Sequence, residues 1–231
     1  MEPRELLQHH YLFRDLSDDV LDRLSAMAHL KSLPAKQTIF LRGDEGGSLF
    51  GVLKGEVKVC ASTPGGKETV FGYLGAGDVL GEIALLDGRE RDADAFTTRF
   101  TRMIEIRRGP FAELMSSEPQ LAIHMVNMMC ARVREFSERI EDYSILDSAG
   151  RLAKLILGEA KRHGRETKDG LLVDTLPYQG EIARMIGTSR ISVNKHLQCW
   201  KREGILSVKR RSFTILDEDG LGDIVRCRME E

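Results

Sequence analysis

The residues best suited to chemistry lie in one short stretch, GDVLGEIALLDGRERDADA, residues 77–95. A Gly-Glu pair, Gly81 and Glu82, precedes an apolar run that starts at Ile83, and Arg91, Asp92 and Ala93 follow it. A carboxylate such as Glu82 accepts hydrogen bonds, and a guanidinium such as Arg91 can hold an anion through charge-assisted ones. Asp92 sets a negative charge beside that Arg. A second group lies near the carboxyl end. Thr188, Ser189, Arg190, Ile191, Ser192, Asn194 and Lys195 form one polar, basic run, and Lys209, Arg210 and Arg211 another. Nothing marks an enzyme: there is no P-loop, no H-E-x-x-H and no G-x-S-x-G.

The four cysteines, Cys60, Cys130, Cys199 and Cys227, form no C-x-x-C pair, so reduced thiols are expected rather than disulfides or a metal cluster. With 231 residues the chain can build one large or two small domains. No apolar run approaches the ~20 residues that cross a bilayer, and MEPRELLQHH has no apolar signal core, so a cytoplasmic protein is expected. The net charge of −2 is unevenly spread. Residues 151–216 hold 14 Lys and Arg against 6 Asp and Glu, a local +8, which leaves −10 for the rest. That basic third suits a polyanion.

The elements that must position these groups follow from pattern. Residues 4–30 read as helix, with Ser17 as an N-cap before Asp18 and Asp19. Between residues 33 and 106, short apolar runs (TIFL, SLFGVL, EVKVCA, TVFGYL, MIEI) alternate with glycines, which predicts an antiparallel barrel or jelly roll. TPGGKE, residues 63–68, reads as a hairpin turn. Pro110 and Pro119 mark the next boundary, and a long helix follows. In it Met129, Val133, Phe136, Ile140 and Tyr143 are spaced by four, three, four and three, with charged residues flanking. That seam predicts a pairing face, most simply with the same helix of a second chain. The alternative is a helix lying on its own domain.

Residues 147–163 read as another helix and RHGRETKDG as a polar loop. Residues 178–206 carry the logic of a helix-turn-helix. Ile182, Ala183 and Ile186 form one apolar face. Gly187 supplies the turn, Ser189 caps the next helix, and Val193, Leu197 and Trp200 point inward. Arg190, Ile191, Ser192, Asn194 and Lys195 are left facing outward, at the helix end that enters a DNA major groove in such units. Residues 204–216 read as a two-stranded wing whose Lys209, Arg210 and Arg211 could hold phosphate. The alternative is a small helical domain with solvated basic residues.

With GYLGAGDVLGEIALLDG, the long helix, ILDSAGRLAKLIL and GEIARMIGTSRISVNKHL in this order, the chain resembles the cyclic AMP receptor protein and fumarate–nitrate regulator (CRP/FNR) family. The resemblance spans about residues 6–216. It implies an α+β fold and three regions: an effector-sensing β-roll at 1–116, a dimerisation helix at 117–146 and a DNA-binding winged helix-turn-helix at 147–231. It also implies a homodimeric, allosterically controlled transcription regulator, a palindromic double-stranded DNA partner and contact with RNA polymerase.

In nucleotide-sensing members the Glu takes the ribose hydroxyl, and the Arg with a neighbouring hydroxyl and backbone N–H groups holds the cyclic phosphate. Gly81, Glu82, Ile83, Arg91 and Ala93 are therefore expected at a cAMP or cGMP site, with Phe136 and Ser137 near the base. Asp92 departs, standing where the family has Ser or Thr, and three readings stay open. It turns outward and leaves its N–H to act, or it pairs with Arg91 and closes the pocket, or Glu82 and Arg91 form a structural ion pair. The iron–sulfur branch's amino-terminal cysteine cluster is absent. Haem could use His29, His124 or a Met. By the same resemblance Arg190 reads guanine, Ile191 meets a thymine methyl in place of an acid, and Lys195 replaces an Arg. The rival function is a signalling protein in which nucleotide binding gates another activity.

Overall fold

The structure is a computed structural model. It describes residues 3–9, 13, 16–62, 68–173, 177–209 and 212–227, with no side-chain account of His9 and Cys227. The expected hairpin turn at 63–67 and the wing residues Arg210 and Arg211 lie outside the described residues. Two compact units are present, Met1–Val133 and Arg134–Glu231.

The first unit opens with α1 (Pro3–His9) and α2 (Asp18–Met27), where a single helix over 4–30 was expected. Ser17 caps α2, accepting from the Val20 N–H at 3.5 Å. The helical pattern ends before His29, where strand β1 (His29–Leu33) begins. Then come β2 (Thr38–Phe40), β3 (Ser48–Lys54), β4 (Val57–Ser62), β5 (Glu68–Leu74) and β6 (Val79–Leu80). A short helix α3 (Glu82–Asp87), β7 (Asp94–Thr97) and β8 (Thr101–Arg107) complete the roll. Helix α4 (Arg108–Ser117) and the long α5 (Pro119–Ile145) follow. Pro110 sits in the first turn of α4 and Pro119 opens α5, positions that need no intrahelical N–H.

All pairings are antiparallel, in two four-stranded sheets ordered β1-β8-β3-β6 and β2-β7-β4-β5. Strand β3 is apolar almost throughout because both its faces are covered. Phe50 and Val52 point into the core of the roll, with Phe40, Val57, Leu80, Ala95 and Met103. Leu49 and Leu53 point the other way, into a core built with helical residues such as Leu6, Leu24, Phe111 and Leu121.

The second unit holds the end of α5, then α6 (Ser148–His163), β9 (Arg165–Thr167), β10 (Gly170–Val173), α7 (Gln179–Met185), α8 (Arg190–Arg202), β11 (Leu206–Val208), β12 (Phe213–Ile215) and α9 (Glu218–Cys227). The sheet order is β11-β12-β10-β9, so RHGRETKDG, expected as loop, contributes a strand. Its polarity hid that role, since all of β9 is exposed. Leu152, Ile156, Ile182, Val193, Leu197, Trp200, Phe213 and Leu221 share one core.

Candidate functional site

The cassette of residues 81–93 is held from several sides. Gly81, between β6 and α3, adopts φ 82, a left-handed conformation suited to glycine. A Cβ there would lie 2.5 Å from Nη1 of Arg91. The main chain of Arg91 is fixed both ways to a facing loop: its N–H donates to the Asp44 carbonyl at 2.8 Å and its carbonyl accepts from Gly43 at 2.9 Å. Its side chain is buried. Nη1 donates to the Gly81 carbonyl at 3.0 Å and Nη2 to the Ser48 hydroxyl at 3.3 Å. The guanidinium carbon lies 4.4 Å from the ring centroid of Phe40 and 5.7 Å from that of Phe50.

Glu82 is equally buried but does not pair with Arg91. Its partner is Arg132 on α5, with Nε of Arg132 3.4 Å from Oε1, and Nη2 of the same residue donates to the Val79 carbonyl at 3.4 Å. The reading of Glu82 and Arg91 as an ion pair is thereby corrected. The wall of α5 supplies the opposite charge, and spacing within the cassette gives no sign of it. Burial pushes the Glu82 carboxyl above its usual range, an effect that Arg132 opposes. Burial lowers the Arg91 guanidinium, and Asp92 is the strongest influence the other way. Asp92 is exposed and makes no ion pair with Arg91, so of the three arrangements it takes the outward one. Ala93 is buried and Ile83 half-buried. Phe136 and Ser137 are exposed residues of the second unit.

The cassette suits an anion. Among the described residues no carboxylate forms an ion pair with Arg91, and its buried Nε–H has no acceptor. An unmet buried donor costs about 1–3 kcal/mol, and a cation without a counter-ion costs more. Stacking on two rings offsets part of that, at roughly 0.5–2 kcal/mol. A negatively charged group would supply both the acceptor and the charge, while Glu82 remains able to accept from a hydroxyl. Ser48, Phe40, Phe50 and Arg132 belong to this site although pattern alone singles out none of them.

His29 lies exposed at the start of β1, and Nδ1 of His124 is 2.8 Å from the Gln120 carbonyl oxygen in its own helix. Among the described residues no three His, Cys, Asp or Glu side chains gather as metal ligands. Cys60, Cys130 and Cys199 are free thiols. No helix among the described residues is long and apolar enough to cross a membrane.

In the second unit the expected helix-turn-helix is present. Ile182, Ala183 and Ile186 are buried, and Gly187 turns the chain at φ 64. The Ser189 hydroxyl accepts from the Ser192 N–H at 3.0 Å and caps α8. Val193, Leu197 and Trp200 bury one face of α8, leaving Arg190, Asn194 and Lys195 exposed and Ile191 82% exposed. Thr188 and Ser192 are half-buried. Beside this face Tyr178, Gln179, Gly180, Glu181, Arg184 and Arg190 line an open hollow of about 540 Å³. The strands β11 and β12 form the wing, with the Lys209 N–H donating to the Ser212 carbonyl at 2.8 Å.

The expected seam on α5 is divided. Met129 is half-buried against the helical core of the first unit. Ile123, Val126, Val133 and Ile140 are at least half-exposed, with Phe136 and Tyr143 each 48% exposed. Tyr143 is also engaged within its own chain, donating to the Met185 carbonyl at 3.1 Å.

Comparison with known proteins agrees with this geometry. A family model described as cyclic nucleotide-binding domain matches residues 30–118, and one described as Crp-like helix-turn-helix domain matches residues 150–224. The CRP-like cAMP-activated global transcriptional regulator of Mycobacterium tuberculosis is 26% identical over 217 residues, covering 94% of this chain and 97% of its own. The cAMP-activated global transcriptional regulator Vfr of Pseudomonas aeruginosa is 29% identical over 200 residues, covering 84% and 92%. Among solved structures, a CooA mutant from Carboxydothermus hydrogenoformans superposes with a TM-score of 0.77 at 20% identity, covering 97% of this chain and 96% of its own. The c-di-GMP responsive global regulator CLP of Xanthomonas campestris superposes with a TM-score of 0.74 at 20% identity, covering 87% and 100%. A β-roll matched by the cyclic nucleotide-binding domain model, a long helix and a winged helix-turn-helix thus follow one another along one chain, which belongs to the CRP/FNR family of transcription regulators.

Proposed function

We propose that the chain is a homodimeric, sequence-specific DNA-binding regulator in the cytoplasm, switched by a cyclic nucleotide, cAMP or cGMP, held in the cassette. It works by binding rather than catalysis. Residues 1–116 sense the effector, 117–146 pair the two chains, and 147–231 bind DNA and, on promoters, meet RNA polymerase.

The observation that carries the effector reading is the buried Arg91, which has an unmet Nε–H and no carboxylate partner. A cyclic phosphate meets both needs, and a ribose hydroxyl donates to Glu82. Because Glu82 is held by Arg132 on α5, a ligand hydroxyl at Glu82 alters what the long helix experiences. The cAMP-activated relatives support this reading. For DNA, Arg190 is the guanine fork, Ile191 the contact to a thymine methyl, and Lys195 a looser single donor. Lys209 holds phosphate. Pairing through the exposed apolar stripe of α5 sets two copies of α8 on half-sites ~34 Å apart, hence a palindrome.

The test is selection from random double-stranded DNA with no ligand, with cAMP and with cGMP, alongside calorimetry of each nucleotide. Enrichment of a palindrome that needs one nucleotide supports the reading. No enrichment in any arm rejects DNA reading. Enrichment indifferent to both nucleotides, with silent calorimetry, rejects the nucleotide as the signal in favour of haem, redox or another ligand.

A further inference from the structure

Tyr143 stands in step with Phe136 and Ile140, so spacing assigns it to the apolar stripe of α5. Its side chain serves a different purpose. The hydroxyl donates to the carbonyl of Met185 at 3.1 Å. Met185 is the last residue of α7, where carbonyls have no partner within the helix. The next carbonyl, that of Ile186, accepts from Nε of Arg151 at 2.9 Å. Nη1 of the same residue donates to the carbonyl of Leu146, just beyond α5, at 2.5 Å. The Arg151 guanidinium also lies over the Tyr143 ring, 4.8 Å from its centroid.

The ring fills the space that Gly187 leaves open: a Cβ at Gly187 would meet Cε1 of Tyr143 at 2.8 Å. One residue earlier, Asp142 accepts from Nζ of Lys154 on α6 at 2.5 Å. The last turn of α5 is thus fastened to α6 and to the turn between α7 and α8. Arg151 joins Leu146 to Ile186, so side-chain hydrogen bonds bridge the short link between α5 and α6.

We propose that Tyr143 and Arg151 are positioning residues for DNA reading: they clamp the helix-turn-helix to the last turn of α5, so that α8 follows α5 without either residue touching DNA. The proposal rests on α8 as the DNA reader. It gives Tyr143 a role other than dimer contact, and it places the structural demand for Gly187 in two causes, its positive φ and the Tyr143 ring.

The experiment compares full-length wild type with Tyr143→Phe, which keeps the ring, and Tyr143→Leu, which removes it. Three quantities are measured: amide exchange at Thr188, whose N–H donates to the Ala183 carbonyl; affinity for a duplex enriched from random DNA by wild type and for a scrambled duplex; and dimer dissociation by sedimentation. Tyr143→Phe should speed exchange at Thr188 and weaken the enriched duplex roughly fivefold, the worth of one hydrogen bond, with the scrambled duplex and the dimer unchanged. Tyr143→Leu should show the same pattern with a larger loss. Unchanged exchange in both variants overturns the clamp. So does an affinity loss that tracks loss of the dimer, which would make Tyr143 a seam residue, or an equal loss on both duplexes. If wild type enriches no sequence, DNA reading falls and the exchange measurement alone decides the clamp.

Discussion

The carboxylate of Glu82 lies 3.4 Å from Nε of Arg132, so the acid of the cassette is held by the long helix and not by Arg91 nine positions on. Two cations therefore face the site with different obligations. Arg132 lies within ion-pair distance of Glu82, although its buried Nε–H makes no hydrogen bond, while Arg91 has no carboxylate partner among the described residues.

Arg132→Ala leaves a buried carboxylate without its counter-charge. It should lower unfolding stability by about 1–3 kcal/mol at pH 7, the range for a stranded buried polar group. Urea titration of wild type and variant measures this. The deficit should shrink in acid, where Glu82 is neutral. An equal deficit at pH 4.5 and pH 7 means that Arg132 stabilises by packing instead.

Glu82→Gln tests the sign of the carboxyl's shift. The folded protein holds the Glu82 proton more tightly than the unfolded chain does, since burial raises its pKa above 4.5. Stability from this group is complete below about 4.5 and is lost as pH rises through the raised folded value. The Gln variant lacks that loss, so its thermal midpoint should exceed that of wild type at pH 7 and converge on it near pH 4. The opposite order at pH 7 would show that the Arg132 pair outweighs desolvation.

Asp92→Ser should strengthen cyclic nucleotide binding only modestly, by about threefold or less, because the carboxylate faces solvent and acts through screened repulsion. The gain should fade between 50 and 500 mM salt in calorimetric titrations. A gain of a hundredfold that persists in salt would mean that the Ser hydroxyl bonds phosphate directly. Arg91→Ala, in contrast, should abolish binding while the fold survives.

Arg190→Ala should cost about 1–3 kcal/mol per half-site and relax the preference for guanine at one position. Lys209→Ala should weaken all sequences alike and flatten the salt dependence. Selection on random DNA with each variant distinguishes them. Identical consensus from wild type and Arg190→Ala assigns Arg190 to the backbone.

Ile140→Glu places a charge on the exposed face of α5, and twofold pairing would set like charges close together. The variant should sediment as monomer and lose the palindrome. A stable dimer moves the pairing face elsewhere.

Local pattern is strong where a residue's role depends on its own element. Ser17 and Ser189 are caps because their hydroxyls meet N–H groups three positions on. Gly187 is a turn because only a left-handed residue closes that bend. Val193, Leu197 and Trp200 share a face by helical period alone, which leaves Ile191 outside. The Gly-punctuated strands, the long helix and the basic third are legible in the same way, and with them the family.

Partnership across the fold is decided by packing that no spacing records. Arg132 reads as a charged flank of the seam until α5 lies against β6 and α3. Ser48, Phe40 and Phe50 become the cage of Arg91 because β2 and β3 converge on it. Met129 and Tyr143 satisfy the heptad step, yet one packs on its own core and the other bonds a helix terminus. A period assigns a residue to a face, and the tertiary structure determines what that face meets. For Glu82 the consequence is direct: the chain places a carboxylate beside Gly81, and the fold alone buries it and chooses its cation.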